Sequence, residues 1–582
     1  MKFARLNPIL QAAVLALGLS LQPADAAESP RTYDVVVYGG TSGGVVAAVQ
    51  AARMKTSVLL IEPGQNLGGL SSGGLGATDF GHPDSIGGLS REFYRRVKRY
   101  YADPAVWQHG KPGAYRSHRH DPASDVMFHF EPRVAERIFR EMAREAGVEV
   151  VYGERLELRR GVEKVGAEIR SLTMESGRRF AGKMFIDATY EGDLMAKAGV
   201  SYTVGRESAA TYGEPKNGNQ WRHMRERPRP VGHDFFRAVD PYVRPGDPTS
   251  GTLFGVPAEG AGEVGAADQH VQAYCFRLCL TDVPENRVPW PKPADYDPAR
   301  YELLLRYLNS TQPLPEWPNP KDEIEHPVLG RSLLDLPPVV IMPNRKSDSN
   351  TKGAVSFNFV GGNRDYPDGD HATRERIFRE HVSWQQGLCW FVANDPRVPE
   401  KYRAPMRIWG PARDEFTATG NWPHQLYIRE ARRMVGAFVM RQQVCEGTES
   451  VADPVGCGSY TMDSHNVRRY IDEHGHVRNE GTLGMPVKTP YGISYRSLTP
   501  RKQECTNLLV PVCISASHVV YGSMRMEPVF MVLGQSAATA AVQAIAAGVA
   551  VQDVPYSNLR AALLRDAQVL EVSTSKTAAR KR

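Results

Sequence analysis

The segment Thr32–Met54 reads TYDVVVYGGTSGGVVAAVQAARM, and it decides the fold of this chain. Its first part, Tyr33–Tyr38, is a near-continuous apolar run, which is typical of a strand buried on both faces of a parallel sheet. Two glycine pairs follow, and then the Ala- and Val-rich stretch Val45–Met54 predicts a helix. A second strand is predicted over Ser57–Ile61 and ends at Glu62. The order of strand, glycine turn, helix, strand and acid indicates a dinucleotide-binding βαβ unit.

The turn between the first strand and the helix has a physical reason for its residue types. Glycine lets the backbone turn sharply and lets a pyrophosphate approach closely, while the free N–H groups of the helix start attract phosphate. In register with G-x-G-x-x-G, the first position is Tyr38, the second glycine is Gly40 and the third is Gly43, with Gly39 sharing the turn. Gly43 is then expected to let the helix pack on the strand, and Glu62 to accept hydrogen bonds from a ribose diol. A tight turn without a ligand is the alternative. The predicted contacts are Gly39, Gly40, Thr41, Ser42, Gly43 and Glu62.

Three further segments extend this pattern. Pro63–Gly76 reads PGQNLGGLSSGGLG, and a plain NAD-binding domain has no use for a glycine-rich segment at this place. Phe185–Asp193 reads as a buried strand that ends in a turn. Near the far end, Val529–Leu533 is apolar, and Gly534 is expected to open an Ala-rich helix that continues through Ala547. A surface loop and a scaffold helix are the alternatives for the first and the last of these segments.

Taken in this order, the segments resemble the family of FAD-dependent oxidoreductases with a glutathione-reductase-type dinucleotide fold, in particular its exported bacterial members. The resemblance implies FAD as the cofactor, with Gly68 and Gly69 beside the flavin-side phosphates. It also implies that Gly534 and Gln535 lie where the late helix points at the flavin. The implied fold class is α/β, with a discontinuous Rossmann-like FAD-binding domain and an inserted α+β substrate or cap domain.

The division of the chain follows from composition. The 582 residues exceed what one hydrophobic core usually serves, and the middle of the chain is richer in Pro, Trp and Tyr. We predict a signal peptide over 1–26, an FAD-binding domain over 32–81 with 130–203 and 498–548, a substrate or cap domain over 205–497, and a disordered basic tail over 571–582.

The first residues predict export. Lys2 and Arg5 precede the mostly apolar run Leu6–Leu21, and Ala24-Asp25-Ala26 has the small-x-small pattern of a cleavage site. We expect cleavage after Ala26 or Ala27 and a periplasmic or secreted product. A membrane anchor is the alternative, but the run is short and interrupted by polar residues. No stable membrane insertion of the mature chain is expected.

Charge and cysteine usage exclude other classes. The net charge of +6 is spread over the whole chain, so nucleic acid is not an expected partner. The seven cysteines lack iron–sulfur or zinc spacing, so buried thiols and no metal site are expected. The expected partners are a small-molecule substrate and an electron acceptor of unknown kind, which is oxygen, a quinone or a redox protein.

Candidate catalytic residues lie just before the late helix. Because a histidine takes up a proton near neutral pH, we expect His518 to act as the base. Tyr521 is expected to orient the substrate, and Arg525 to stabilise charge on the substrate or the reduced flavin. The alternatives are a core histidine and a structural ion pair between Arg525 and Glu527. The second candidate is His465 in the sequence Asp-Ser-His-Asn, in which a helix cap explains the first two residues equally well.

Two other groups are weaker candidates. Among Arg429, Glu430, Arg432 and Arg433, one arginine is a candidate for binding an anionic or polyol substrate, and the rest are expected on a solvated helix face. The tryptophans Trp384, Trp390 and Trp422 have a side chain that stacks on sugars, but core packing explains them as well.

Three functions are therefore carried forward. The first is the oxidation of an alcohol or amine group on a small polar substrate, such as a carbohydrate. The second is a flavin-dependent reduction of an activated C=C bond. The third is a non-catalytic carbohydrate-binding or scaffold protein with a vestigial FAD site.

Overall fold

The computed structural model describes residues 31–117, 121–222, 233–310, 341–351 and 353–572. The predicted signal peptide 1–26 lies outside these residues, and so does most of the predicted tail 571–582. The strands are β1 (Thr32–Tyr38), β2 (Val58–Glu62), β3 (Glu149–Tyr152), β4 (Val162–Val165), β5 (Glu168–Thr173), β6 (Arg179–Asp187), β7 (Tyr202–Thr203), β8 (Leu278–Thr281), β9 (Lys346–Ser349), β10 (Gly410–Pro411), β11 (Arg433–Met434), β12 (Pro454–Gly458), β13 (Met462–Ser464), β14 (Arg468–Ile471), β15 (Val477–Glu480), β16 (Leu483–Met485), β17 (Tyr491–Ser494) and β18 (Leu508–Leu509). The α-helices are α1 (Ser42–Arg53), α2 (Gly88–Tyr101), α3 (Pro132–Ala146), α4 (Asp193–Lys197), α5 (Glu302–Asn309), α6 (His371–Asn394), α7 (Glu400–Ile408), α8 (Gln442–Glu446), α9 (His518–Met524), α10 (Glu527–Ala547) and α11 (Tyr556–Arg565).

A seven-stranded sheet carries the dinucleotide motif. Its order is β3-β2-β1-β6-β5-β4, with β18 beside the second half of β6. Strands β1, β2, β3, β6 and β18 run parallel, whereas β5 is antiparallel to both of its neighbours, β6 and β4. Val36 of β1 pairs with Leu59 on one side and with Phe185 on the other, and all three side chains are fully buried. The α/β class and the Rossmann-type sheet are thereby confirmed.

The sheet order fixes where a ligand belongs. From β1 the chain continues through α1 to β2 on one side, while β6 lies on the other side of β1. The carboxyl ends of β1 and β6 therefore form a topological switch point, which is where doubly wound sheets bind ligands. Tyr38 and Asp187, the last residues of the two strands, are paired in register at this point.

The late helix begins earlier than the sequence analysis predicted. Helix α10 starts at Glu527, with Pro528 in its first turn, where proline is well tolerated. Gly534 and Gln535 thus lie inside the helix, and the expectation that Gly534 opens it is wrong. A Cβ atom on Gly534 would collide with the carbonyl oxygen of Gly43, so the two glycines let α10 and α1 approach closely.

Helix α10 is also the one helix among the described residues that is long and apolar enough to span a membrane, judged by length and composition. Its most apolar window is 78% buried inside the protein. This burial is explained by its packing between α1, α2 and the sheet.

The middle of the chain contributes smaller sheets. In the described parts of 205–497, no strand joins the seven-stranded sheet. Strands β10, β8 and β9 form an antiparallel sheet, and the pairs β12–β17, β13–β16 and β14–β15 are antiparallel as well. Strand β11 of this middle part pairs with β7, which follows strand β6 of the seven-stranded sheet in the chain.

Tryptophans and cysteines of this part pack in the core. Trp384 stacks on Phe359 with ring centroids 5.0 Å apart, and Trp422 lies edge-on to Phe276; both tryptophans are buried. Core packing thus accounts for these two side chains. All seven cysteines fall within the described residues, where they are buried free thiols.

Candidate cofactor and substrate site

The glycine turn after β1 is held against the end of β6. Gly39 adopts a φ of 102°, and a Cβ atom there would lie 2.8 Å from the amide nitrogen of Thr189. Thr41 caps α1 by accepting a hydrogen bond from the Gly44 N–H (3.2 Å), and its hydroxyl donates to the carbonyl of Ala188 (2.7 Å). The backbone N–H groups of Ser42 and Gly43 lie in the first turn of α1, where a helix offers no carbonyl partner. This is the arrangement that binds a phosphate group.

The register of the glycine motif differs from the predicted one. The left-handed turn residue is Gly39, and a Cβ atom on Gly44 would collide with the Gly39 carbonyl oxygen and lie 3.0 Å from Ala188 Cβ. Gly44 is therefore the glycine that lets the helix pack on the strands. Gly43 faces α10 instead, and an added Cβ atom there would lie 2.8 Å from the Phe530 carbonyl oxygen. The motif reads Gly39-x-Thr41-x-x-Gly44, and the threonine at its second position hid this register from the sequence analysis.

Glu62 closes the other side of the turn. Its carboxylate accepts hydrogen bonds from the N–H groups of Gly40 and Gly64, both at 2.6 Å. Burial raises the pKa of Glu62 to about 7, against the effect of these two donors. An added Cβ on Gly40 would lie 2.7 Å from the carboxylate, so only glycine allows this approach. Further donors, such as the hydroxyls of a ribose, would complete the hydrogen bonding of this carboxylate.

The second glycine segment meets the start of α10. The N–H of Gly68 donates to the Gly40 carbonyl (2.8 Å), which places this segment beside the first turn. Further along, the Leu70 N–H donates to the hydroxyl of Tyr190 (2.8 Å), which in turn donates to the carboxylate of Glu527 (2.7 Å). The Ser71 hydroxyl donates to the same carboxylate (3.2 Å), and burial raises the pKa of Glu527. The four predicted segments thus converge on one place.

Gly534 and Gln535, which were predicted as cofactor contacts, lie against other helices. Gly534 packs against Gly43, as described above, and the side-chain oxygen of Gln535 accepts a hydrogen bond from the Leu89 N–H (2.8 Å). Both residues therefore join helices to each other. Glu527, which the sequence analysis considered only as a partner of Arg525, occupies the first turn of α10 instead.

These residues fit a dinucleotide. The free N–H groups of α1 suit a pyrophosphate, Glu62 suits a ribose, and the glycines leave room where a Cβ atom would close the turn. The model of the FAD dependent oxidoreductase family matches residues 34–563, which is most of the chain. The chain belongs to the FAD dependent oxidoreductase family. FAD is its cofactor, and its enzyme class is oxidoreductase, as the sequence analysis predicted.

No curated protein matches this family member in sequence. Solved structures that resemble it include the L-amino acid deaminase from Proteus vulgaris (17% identity, 31% of this chain and 53% of that chain, TM-score 0.22). The L-proline dehydrogenase from P. horikoshii (16%, 31% and 59%, TM-score 0.22) and the anhydrotetracycline hydroxylase OxyS from Streptomyces rimosus (13%, 36% and 42%, TM-score 0.21) are further examples. The oxidoreductase spans less than two thirds of the length of each of these structures.

Among the predicted catalytic residues of this FAD-dependent oxidoreductase, His518 is fully engaged. Its Nδ1 lies 2.9 Å from the carboxylate of Glu430, and its Nε2 lies 3.2 Å from the hydroxyl of Ser464. Glu430 also pairs with Arg433 (2.8 Å). Burial by itself would raise the pKa of Glu430, but His518 and Arg433 hold it below its usual value. His518 therefore connects a buried ion pair to strand β13.

Tyr521 and Arg525 have different surroundings. Tyr521 is buried, and its hydroxyl donates to the backbone carbonyl of Val512 (3.2 Å). Arg525 lies directly before α10, donates to the hydroxyl of Tyr427 (2.6 Å) and pairs with Asp463 (2.9 Å). The alternative prediction of an ion pair between Arg525 and Glu527 is therefore wrong.

His465 follows strand β13 and faces Asp463. Its Nε2 lies 3.4 Å from the Asp463 carboxylate, and its Nδ1 lies 3.3 Å from the Asn358 amide and 3.4 Å from the Thr351 hydroxyl. Burial, together with the charge of Arg429, lowers the pKa of His465 well below its usual value, so the ring is neutral near pH 7. Asp463 lies in a strand, and its alternative as a helix cap is wrong.

The arginine-rich segment before β11 is buried, contrary to the expectation of a solvated helix face. Arg432 pairs with Asp193 (2.7 Å), and Arg433 pairs with Glu207 as well as Glu430. These two arginines are therefore buried with acids from distant parts of the chain as partners, although the local sequence resembles an exposed helix. Burial by itself would raise the pKa of Glu207, but Arg433 lowers it to about 2.

One acidic group has the composition of a metal site. Glu131, Asp414 and Glu415 bring their carboxylates together, but the ammonium group of Lys346 lies between them, at 2.6 to 2.7 Å from each. The lysine side chain is fully buried. Lys346 is the buried cation of this cluster, and Arg133 contacts the same three carboxylates at 2.9 to 3.3 Å.

Proposed function

We propose that this oxidoreductase removes a hydride from a carbon that bears a hydroxyl or amine group on a small polar substrate. The observation that supports this is the neutral His465, backed by Asp463, next to an arginine that directly precedes α10. A base beside the flavin end of the cofactor site is what the oxidation of an alcohol or amine requires. When bound, FAD supplies the acceptor for the hydride.

In this proposal His465 takes the proton of the substrate hydroxyl or amine. With its Nε2–H directed at Asp463, the ring presents the lone pair of Nδ1 as the acceptor. The contacts of Nδ1 with Asn358 and Thr351 are long, at 3.3 and 3.4 Å, so a substrate hydroxyl is able to replace them. Asp463 then stabilises the imidazolium that forms, as a buried carboxylate does in other His–Asp pairs.

Arg525 and His518 both contact the segment that carries the Asp463–His465 pair. Burial by itself would raise the pKa of Asp463, but His465 and Arg525 hold it well below its usual value, and the Arg525 guanidinium lies 2.9 Å from the carboxylate. His518 contacts Ser464, the residue between Asp463 and His465, and is thus a positioning residue in this proposal. The role of base, first expected for His518, is assigned to His465 because both nitrogens of His518 have close partners.

The experiment that tests this function is anaerobic reduction of the bound flavin. Holoenzyme is mixed without oxygen with a panel of sugars, hydroxy acids and amines, and flavin bleaching at 450 nm is recorded. Bleaching by at least one alcohol or amine is expected, and oxygen, a quinone or a redox protein then restores the colour. If no alcohol or amine bleaches the flavin while an unsaturated acid reoxidises chemically reduced enzyme, the reaction is the reduction of a C=C bond.

We also infer that the chain is exported and cleaved after Ala26 or Ala27. The support is the basic start, the apolar run Leu6–Leu21 and the Ala-Asp-Ala pattern in the sequence. N-terminal sequencing of protein from the periplasm or medium is the test. A mature chain that begins near Glu28 is expected, and an intact Met1 in a cytoplasmic product would contradict the inference.

A further inference from the structure

Three arginines surround the ring of Tyr427. The guanidinium carbons of Arg429, Arg525 and Arg277 lie 4.3, 5.6 and 5.9 Å from the centre of this ring. Tyr427 itself is largely buried and forms an isolated β-bridge with Cys275. Three positive charges are thus held within one buried region of the protein.

This region borders the glycine segment of the cofactor site. A Cβ atom on Gly74 would collide with the backbone carbonyl of Arg277, and one on Gly73 with the side chain of Gln425. Arg525 immediately precedes α10, whose first turn receives hydrogen bonds from the same segment. The arginines therefore lie between the cofactor site and the middle part of the chain.

Two of the three charges are balanced. Arg277 donates to Asp348 (2.8 Å), and Arg525 pairs with Asp463 (2.9 Å). Each guanidinium thus has a carboxylate at hydrogen-bonding distance. Both pairs are internal to the protein and need no ligand to offset their burial.

Arg429 has no such partner. Among residues 31–117, 121–222, 233–310, 341–351 and 353–572, no carboxylate pairs with Arg429, although it is only 1% exposed. Its guanidinium donates to the Ala273 carbonyl and makes long contacts with Cys275 Sγ (3.3 Å) and the Thr351 hydroxyl (3.5 Å), while its Nε has no hydrogen-bond partner. A buried charge is expensive unless an opposite charge offsets it, so this arginine calls for an anion.

The unpaired charge is next to the proposed base. The hydroxyl of Thr351 contacts both Arg429 Nη2 (3.5 Å) and His465 Nδ1 (3.4 Å), so a single hydroxyl group separates the two side chains. The charge of Arg429 also contributes to the low pKa of His465. A molecule that reaches Nδ1 of His465 therefore comes within reach of Arg429.

We propose that Arg429 binds a carboxylate group of the substrate, which makes the substrate a hydroxy or amino carboxylic acid. This inference rests on the proposed function, in which His465 accepts the proton of the hydroxyl or amine. A carboxylate matches the site because its single charge balances the one guanidinium beside Tyr427 that has no carboxylate partner among the described residues, and its planar oxygens suit the guanidinium fork. A phosphate dianion would leave excess negative charge in a buried region.

The test uses the holoenzyme and a carboxylate that has nothing to oxidise. Propionate is titrated against wild-type protein, with the visible spectrum of the flavin and the melting temperature as readouts, and propionamide serves as the uncharged probe. Propionate is expected to perturb the flavin spectrum saturably and to raise the melting temperature as a ligand of the native state does, whereas propionamide does neither. Chloride at equal ionic strength controls for general salt effects.

Variants then assign the effect to the residue. In Arg429→Met the propionate affinity is expected to fall at least about tenfold, which is the loss of one charged hydrogen bond or more. The control is Arg469→Met, because Arg469 is also buried, with Nε and Nη2 unpartnered, and it donates to the Gly255 carbonyl (3.2 Å). Propionate binding is expected to be unchanged in Arg469→Met. Arg429→Lys keeps the charge and is expected to retain part of the affinity.

The outcomes are separable from those of the proposed function. Equal responses to propionate and propionamide, or an unchanged propionate affinity in Arg429→Met, would overturn the assignment of Arg429. Loss of binding in Arg469→Met alone would overturn it as well. If propionate binding depends on Arg429 but no alcohol or amine bleaches the flavin, the anion site stands and the proposed reaction fails.

Discussion

The backbone N–H of Gly40 donates a 2.6 Å hydrogen bond to the carboxylate of Glu62 across the mouth of the dinucleotide site. This contact joins the turn after β1 to the end of β2, so the two features that mark the motif in the sequence are in direct contact in the fold. The same carboxylate accepts a second bond from Gly64, and its burial raises its pKa to about 7. Substitutions of Gly40 and Glu62 therefore test the dinucleotide site directly.

Gly40→Val is expected to abolish FAD retention. The added Cβ would lie 2.7 Å from both the Glu62 carboxylate and the side chain of Leu67, so the turn has to move away from the position that receives the pyrophosphate. The measurement is the ratio of flavin to protein absorbance after purification. The control is Gly113→Val, since an added Cβ there meets nothing within 4 Å. A folded Gly40→Val protein with full flavin content would contradict the site.

Glu62 predicts a pH dependence of cofactor binding. Ribose hydroxyls donate to the ionised carboxylate, so FAD favours the ionised form of Glu62 over the protonated form. Because the pKa without cofactor is about 7, the affinity of the apo-protein for FAD is expected to rise between about pH 6 and pH 8. The expected change is up to about tenfold, which corresponds to one hydrogen bond to a charged group.

The control for this prediction is Glu62→Gln, which cannot ionise. Its affinity for FAD, measured by quenching of flavin fluorescence, is expected to be weaker than that of the wild type and independent of pH over the same range. A wild-type affinity that falls as the pH rises would show that the carboxylate does not receive hydrogen bonds from the cofactor.

Lys346 predicts a large effect on stability. It lies fully buried between Glu131, Asp414 and Glu415. Lys346→Met therefore leaves these three carboxylates with the partly exposed Arg133, at 2.9 to 3.3 Å, as their remaining shared cation. The free energy of unfolding is expected to fall by about 3–5 kcal/mol, as for other broken buried pairs. The deficit is expected to grow as the pH rises through about 7, because burial raises the pKa of Glu415 to about 7 and the loss of its proton adds an uncompensated negative charge.

Denaturant unfolding with Lys502→Met as the control checks this prediction. Lys502 pairs with Asp553 on the surface, where both side chains are about half exposed, so its removal is expected to change the free energy of unfolding by about 1 kcal/mol or less. Similar losses in the two variants would contradict the structural role of Lys346.

The dinucleotide unit could be predicted because its signals are local. A buried apolar run, a glycine turn and an Ala-rich helix fix β1 and α1 with little help from the rest of the chain. The register of the glycines was not predictable in the same way, since Thr41 occupies the second glycine position and Gly43 and Gly44 are both possible as the third. Only the packing of α1 against Ala188 on one side and Phe530 on the other separates them.

The substrate side depends on contacts between distant residues, and here the sequence was less informative. Four charged residues near position 430 have the composition of a solvated helix, yet all four are buried. Acids from three other segments, Asp193, Glu207 and Asp368, pair with two of them, Arg432 and Arg433. His465 was identifiable as a polar candidate. Its partnership with Arg429 was not, because Thr351, which contacts both, is more than 70 residues away from either.

The two histidines are expected to differ in their effect on flavin reduction. In His465→Gln, the rate constant for anaerobic reduction by substrate should fall by about 10²–10⁴-fold, which is the usual contribution of a general base, while the flavin content stays normal. In His518→Gln, a smaller loss of about tenfold is expected, because His518 acts on the pair only through Ser464. Glu430 keeps Arg433 and Gln272 as partners in that variant, so the ion pair does not become uncompensated.

The dependence of the rate on pH separates the base from the positioning residue. Burial and the charge of Arg429 hold the pKa of His465 well below the usual histidine value, so the wild-type rate is expected to stay level as the pH falls from 7 through the range in which an ordinary histidine titrates, and to decline only at lower pH. His518→Gln should keep this profile at a lower rate, whereas His465→Gln should lose the acidic decline altogether, because the group that titrates is gone. If the decline disappears in His518→Gln and persists in His465→Gln, then His518 is the base, as first expected from the sequence, and Ser464 is the group that connects it to the substrate.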